Sequence, residues 1–234
     1  MPVGNEHGTE SSREDLRIRI VSCQKCPRLV LYRQSVPISV KRYPGQEFWR
    51  RPVPGYGDMK GRLLIVGMAP AASGGNRTGR VFTGDKSAQF LVSALFKTGF
   101  CNQPTSESRD DGLKYVDAYV TAAVKCVPPD NKPTPSELEN CLPYLKEEIS
   151  CMPNLRAILV LGRFAFQSIA RVFRSTGFSV SGSSFRNEGS VDVGNIRIFM
   201  AFHPSPRNVN TGKLSVDSFL QTLLGIREYL KKTS

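Results

Sequence analysis

Four short apolar runs limit the architectures open to this chain: RLLIVG at 62–67, YVDAYVTAAVKC at 115–126, RAILVLG at 156–162 and IRIFMAFHP at 196–204. RLLIVG is continuous and bounded by Gly, the mark of a buried parallel strand; RAILVLG reads as another buried strand and the other two as strands beside them. A helical stretch follows each of them. KSAQFLVSALFKTG (86–99) puts Phe90, Leu91, Ala94 and Leu95 on one face and has Gly99 as its stop. A helix from about Thr134 to Ser150 follows the second run, and RFAFQSIARVF (163–173) the third. SVDSFLQTLLGIREYLKK (215–232), with Ser215 as cap, closes the chain. Strand alternating with helix predicts an α/β domain whose mostly parallel sheet carries helices on both faces.

Residues 1–12 read as a flexible tail and 13–234 as a single domain. From Ser12 to about Ser35 a helical stripe of Leu16, Ile20, Leu29 and Leu31 is interrupted at Cys23, Cys26 and Pro27. Residues 37–61 hold four Pro and four Gly and read as a long ordered loop, which carries Trp49, Arg50 and Arg51.

Lys and Arg number 32 against 20 Asp and Glu, a net charge of +12. That excess points to a polyanionic partner, nucleic acid ahead of an anionic membrane surface. No apolar run approaches the length of a membrane span. The first twelve residues lack the apolar stretch of a secretory signal, so the expectation is a cytoplasmic protein without stable disulfides.

Ligands of an open α/β sheet bind beyond the carboxyl ends of its strands. Three loops leave those ends here, at 67–85, 126–133 and 203–214. The first, GMAPAASGGNRTGRVFTGD, is neither a P-loop nor a dinucleotide fingerprint, but its small residues let a ligand approach the backbone. Arg77 and Arg80 suit phosphates. Phe82 suits a planar base and equally a core. Asp85 precedes a helix, so it reads as an N-cap as well as a functional carboxylate. The third loop, within AFHPSPRNVNTG (201–212), starts at His203, one of only two histidines. A lone strand-end histidine is commonly structural. Here a stiff, proline-framed loop tipped with Arg207, Asn208, Asn210 and Thr211 follows it, a shape that fits a groove or a base stack.

Cys23 and Cys26 form a C-x2-C pair, and Cys126 and Cys141 make a second, wider one. Four thiolates from two distant segments suit a [4Fe–4S] cluster or a structural zinc, and free cysteines are the third reading. Cys101 and Cys151 read as buried small hydrophobes.

GMAPAASGGNRTGRVFTGDKS (67–87), HPSPRNVNTGKL (203–214), CVPPDNKPTP (126–135) and the four spaced cysteines together resemble the uracil-DNA glycosylase superfamily, most closely family 5, its B-type branch. The resemblance implies a single three-layer α/β/α domain around a four-stranded, mostly parallel sheet. It also implies a structural [4Fe–4S] cluster on Cys23, Cys26, Cys126 and Cys141. The implied reaction is hydrolysis of the bond between deoxyribose and a deaminated base, uracil first and hypoxanthine among the others, after the nucleotide is flipped from the duplex. His203 is then the donor to uracil O2. Asp85 manages the water and the oxocarbenium-like sugar, since Ala69 and Ala71 in GMAPA are inert. Phe82 stacks on the base, Asn131 reads its edge, and the backbone of Gly67, Met68 and Ala69 lines the floor, where Ala71 leaves room for a purine. Pro206, Arg207, Asn208 and Val209 form the wedge, while Ser205 and Thr211 hold phosphates. The partner is DNA and the chain a monomer, with a sliding clamp or other repair protein as a further candidate partner. Two rival readings stand beside this one: an iron–sulfur or zinc module that binds damaged or single-stranded DNA without cutting it, and an enzyme acting on a small nucleotide.

Overall fold

The computed structural model describes residues 10–177 and 184–233. Its sheet has six strands: β1 (Tyr56–Gly57), β2 (Leu63–Gly67), β3 (Ala118–Ala122), β4 (Ala157–Leu161), β5 (Ser190–Val193) and β6 (Ile196–Ala201). They are ordered β1-β3-β2-β4-β6-β5. The four strands expected from the apolar runs form the parallel centre. The expected four-stranded sheet is corrected to six, because β1 and β5 add antiparallel edges. The central strands β2, β3 and β4 are buried along their whole length, as continuous apolar sequence requires.

Side chains alternate between the sheet's faces. Leu63 and Ile65 pack with Leu91 and Leu95 of helix α4 (Lys86–Lys97), which the one-turn α3 (Gly75–Thr78) precedes, and with Phe219, Leu223 and Ile226 of α8 (Val216–Lys232). Leu64 and Val66 face the other way, onto Leu138 and Leu145 of α5 (Pro135–Ser150) and Phe166 and Ile169 of α6 (Arg163–Arg174). This is the three-layer arrangement. Among the described residues no helix is long and apolar enough to cross a membrane.

The N-terminal stripe is two helices, α1 (Glu10–Val21) and α2 (Pro27–Ser35), with Cys23 and Cys26 in the turn between them. Pro27 starts α2, where a missing N–H costs nothing. The tail expected over 1–12 lies outside the described residues as far as residue 9, whereas Glu10, Ser11 and Ser12 already belong to α1. Leu16 and Ile20 fasten α1 to α5 beside Tyr144 and Cys151. Just past β3, Lys125 and Glu148 form a buried ion pair at 2.6 Å. Lys125 Nζ also donates to Thr121 Oγ1 and the Ala122 carbonyl, which ties the segment leading to Cys126 onto α5.

Candidate active site

A cavity of about 580 Å³ opens beyond the carboxyl ends of the central strands, and all three expected loops line it. The first loop contributes Met68, Ala69, Ala71, Phe82 and Asp85, the second Asn131, and the third His203, Ser205 and Pro206. The rings of Phe82 and His203 lie 6.0 Å apart, inclined by 31°. Phe82 is left-handed, with φ of 47°, a conformation costing an aromatic residue about 1–3 kcal/mol. Ser106 Oγ donates to its carbonyl at 2.9 Å and fixes that turn. Asp130 and Asn131 are left-handed too, at φ of 53° and 55°, which thrusts the exposed Asn131 toward the cavity.

Asp85 caps α4: its Oδ1 accepts from the Ala88 amide at 2.9 Å. The same residue is thus a helix cap and a part of the cavity wall. Burial raises its pKa above the usual 3.8, opposed by the Ala88 and Ser87 amides and the Arg77 charge. The carboxylate rests on Gly74, where a Cβ would come within 2.0 Å of Asp85 Oδ2. His203 follows β6, and its carbonyl accepts from the Ser205 amide at 2.7 Å and from Asn208 Nδ2 at 2.8 Å. Burial lowers its imidazole to about 4, so the ring is neutral near pH 7.

Several residues sit elsewhere than expected. Gly67 does not line the cavity: it lies beneath the Phe82 ring, and a Cβ there would fall 2.8 Å from Phe82 Cζ. Arg77 and Arg80 are buried and not free to meet phosphates. Arg77 packs over Tyr43 at 4.0 Å and donates to Gln46 Oε1 and the Ser73 carbonyl. Arg80 is ion-paired with Asp111 at 2.8 Å and donates to Thr83 and Ser106, the residue that holds Phe82. Both arginines build the loop from within.

The expected stiff loop after His203 is a short helix, α7 (Pro206–Asn210). Ser205 caps it by accepting from the Asn208 amide at 3.3 Å. Asn208, half-buried, donates its Nδ2 back to the His203 carbonyl. Pro206, Arg207 and Thr211 are exposed, while Val209 is half-buried. Lining residues absent from the sequence reading include Arg42, Ser73, Lys86 and Ser87. Arg42 belongs to the long loop, where Arg50 and Arg51 drew attention instead. Those two pack over Phe48 and Trp49, away from the cavity.

A family model described as the uracil DNA glycosylase superfamily matches residues 54–226, a span that includes all three loops. The chain belongs to the uracil DNA glycosylase superfamily. It is 43% identical to the Type-5 uracil-DNA glycosylase of Pyrobaculum aerophilum, over 95% of this chain and 96% of that one. A Type-5 uracil-DNA glycosylase of Thermus thermophilus is 39% identical over 91% of this chain and 95% of its own. One of Mycobacterium tuberculosis is 41% identical over 86% of this chain and 75% of its own.

In this member of the uracil DNA glycosylase superfamily Cys126 and Cys141 are buried, and Cys23 and Cys26 half-buried. Among the described residues no three metal-ligating side chains gather as a single ion would require. Cys126 nevertheless lies within electrostatic reach of Cys141 and Cys23, and Cys141 within reach of Cys26 and Cys23. Burial pushes Cys126 up to about 12 and Cys141 up to about 11, so both are thiols unless a cation holds them as thiolates. N–H donors already face the sulfurs: Arg33 Nη1 to Cys126 Sγ and Asn140 Nδ2 to Cys26 Sγ, each at 3.4 Å. Arg33 is 2% exposed, and its Nε has no hydrogen-bond partner. Its backbone carbonyl accepts from Asn76 Nδ2 at 3.1 Å, which joins the cysteine region to the Gly-rich loop.

Proposed function

We propose that this protein is a DNA-repair glycosylase that flips uracil, hypoxanthine and related deaminated bases out of DNA and hydrolyses their bond to deoxyribose, leaving an abasic site. The observation that carries this reading is one cavity holding a carboxylate, a neutral imidazole and a facing aromatic ring. As the C1′–N bond breaks, its electron pair leaves on the base. His203 donates a hydrogen bond to the oxygen where that charge collects, and a neutral ring suffices. Asp85 faces the positive sugar and orients the water that adds to C1′, while the proton that water loses ends on the freed base. Both groups are preorganised, one by its helix cap and the other by two bonds to its carbonyl. Phe82 stacks on the base, and Asn131, able to donate and accept, reads its edge. A cavity of about 580 Å³ floored by Met68, Ala69 and Ala71 admits a purine as well as a pyrimidine.

The exposed corner of α7, Pro206 and Arg207, enters the duplex where the nucleotide leaves, and Ser205 and Thr211 contact phosphates. Cys23, Cys26, Cys126 and Cys141 hold a [4Fe–4S] cluster that braces α2 and α5 against the sheet. The buried Arg33 supports this assignment, because a guanidinium without a carboxylate partner suits the negative charge of thiolate-ligated iron. The test of function is base release from oligonucleotides carrying one uracil, one hypoxanthine or only normal bases. Release from the first two alone is expected, and release from normal bases, or from none, contradicts the reading.

The charge states predict the pH profile. A carboxylate must be ionised to act, so release falls as pH drops through the raised pKa of Asp85. His203 stays neutral until about pH 4 and puts no inflection near 6.5. Single-turnover rates from pH 4 to 9 should therefore show one acid limb, absent from the residual activity of Asp85→Asn. A limb near 6.5 that disappears with His203 would reverse the assignment.

A further inference from the structure

A groove of about 340 Å³ runs beside the reaction cavity, with α4 on one side and α7 and the start of α8 on the other. Lys86 and Pro206 line both, so the groove adjoins the cavity. Along one face of α4 lie Lys86, Gln89, Ser93 and Lys97, a row of cationic and uncharged polar groups at helical spacing. Phe90 and Val209 make the wall apolar, and Phe90 is held from behind by Phe219 at 5.4 Å between ring centroids. Among the described residues no acidic side chain lines the groove. An apolar wall bordered by lysines matches the sugar and phosphate of a nucleic-acid backbone.

We propose that this groove seats the DNA strand flanking the flipped nucleotide, with Lys97 on a phosphate about five nucleotides away. The inference rests on the glycosylase reading of the cavity and extends its DNA contact. From Lys86 to Lys97 the helix rises about 16 Å at 1.5 Å per residue. A B-form strand carries one charge about every 3.4 Å of duplex axis, so with α4 laid along that axis the distance spans about five phosphates.

The experiment uses the full chain, uracil duplexes shortened stepwise from either end, and the variants Lys97→Gln and Lys97→Glu. Binding is read by titration at several salt concentrations and release by single turnover. On long duplexes Lys97→Gln flattens the slope of log affinity against log salt by about one and raises Kd about fourfold at 0.2 M salt. Lys97→Glu weakens binding further. Once one flank is shorter than about five nucleotides, both variants bind and react as wild type does, which also shows that they are folded. Equal binding by wild type and variants on long duplexes would overturn the proposal and leave the groove to a protein partner. A deficit independent of length would overturn it as well. Wild-type protein that binds every duplex but releases no uracil would defeat the glycosylase reading, while the length dependence would still report on the groove.

Discussion

Asp85→Asn should lower the single-turnover rate of uracil release by about 10²–10³-fold, or about 2.7–4 kcal/mol of barrier, with little change in thermal stability. Asparagine caps a helix as well as aspartate does, so the bond from the Ala88 amide survives and only the charge is lost. Asp85→Ala should show the same rate loss with about 1 kcal/mol of destabilisation added, the usual cost of a missing cap. Gly74→Ala gives a third view of the same carboxylate. Its Cβ would stand 2.0 Å from Asp85 Oδ2 and 3.2 Å from the Thr83 carbonyl, so the carboxylate must move. Rate should fall although no charge has been removed. Single-turnover release and thermal melting, measured on all three, separate a cap that merely lines the cavity from a group that faces the reacting sugar. A helix cap alone predicts unchanged rates in Asp85→Asn.

Cys141→Ser should abolish the bound iron and its visible absorption and lower Tm by about 10 °C or more. Binding energy of a structural metal is folding energy, and one kcal/mol moves a chain of this size by about 2–4 °C. The loss should reach the reaction too, because Arg33 touches Cys126 with its side chain and Asn76 of the Gly-rich loop with its carbonyl. Cys101→Ala is the control. Its thiol is buried, raised to about 11 and donates to the Val92 and Gln103 carbonyls, so iron should stay. Metal analysis with absorbance checks this. One zinc per chain, or no metal in the wild-type protein, would contradict the cluster.

The parallel centre was legible because β2 and β4 are uninterrupted apolar runs and β3 is interrupted at Thr121 alone. The edges were not. β1 is two residues long, and it exists through pairing of Tyr56 with Val120. In β5, Ser190-Val-Asp-Val alternates exposure at the sheet's border and lacks a continuous apolar signal. The helix after His203 did carry a start signal, since Ser205 then Pro206 is a cap followed by proline at the first turn. The prolines drew the reading toward a loop. Arg77 and Arg80 misled for a different reason. A glycine-rich segment suggests exposed arginines, yet Gly84 is bare because Arg77 runs beside it, and a Cβ there would meet Arg77 Nη2 at 2.0 Å. Arg42 and Arg33 act through distant contacts that local sequence does not encode. What the motifs placed well was the meeting of three loops, because strand ends in a parallel sheet deliver their loops to one edge.

We propose that the cavity uniting Asp85, His203 and Phe82 breaks the glycosidic bond of uracil in DNA. The most direct measurement is free uracil released from a single-uracil duplex by wild type, Asp85→Asn and His203→Ala under single-turnover conditions. Wild type should release uracil, and each variant should release it about 10²-fold or more slowly. Release that survives both substitutions would place the chemistry elsewhere, and tight binding without release by wild type would make the chain a damage-binding module.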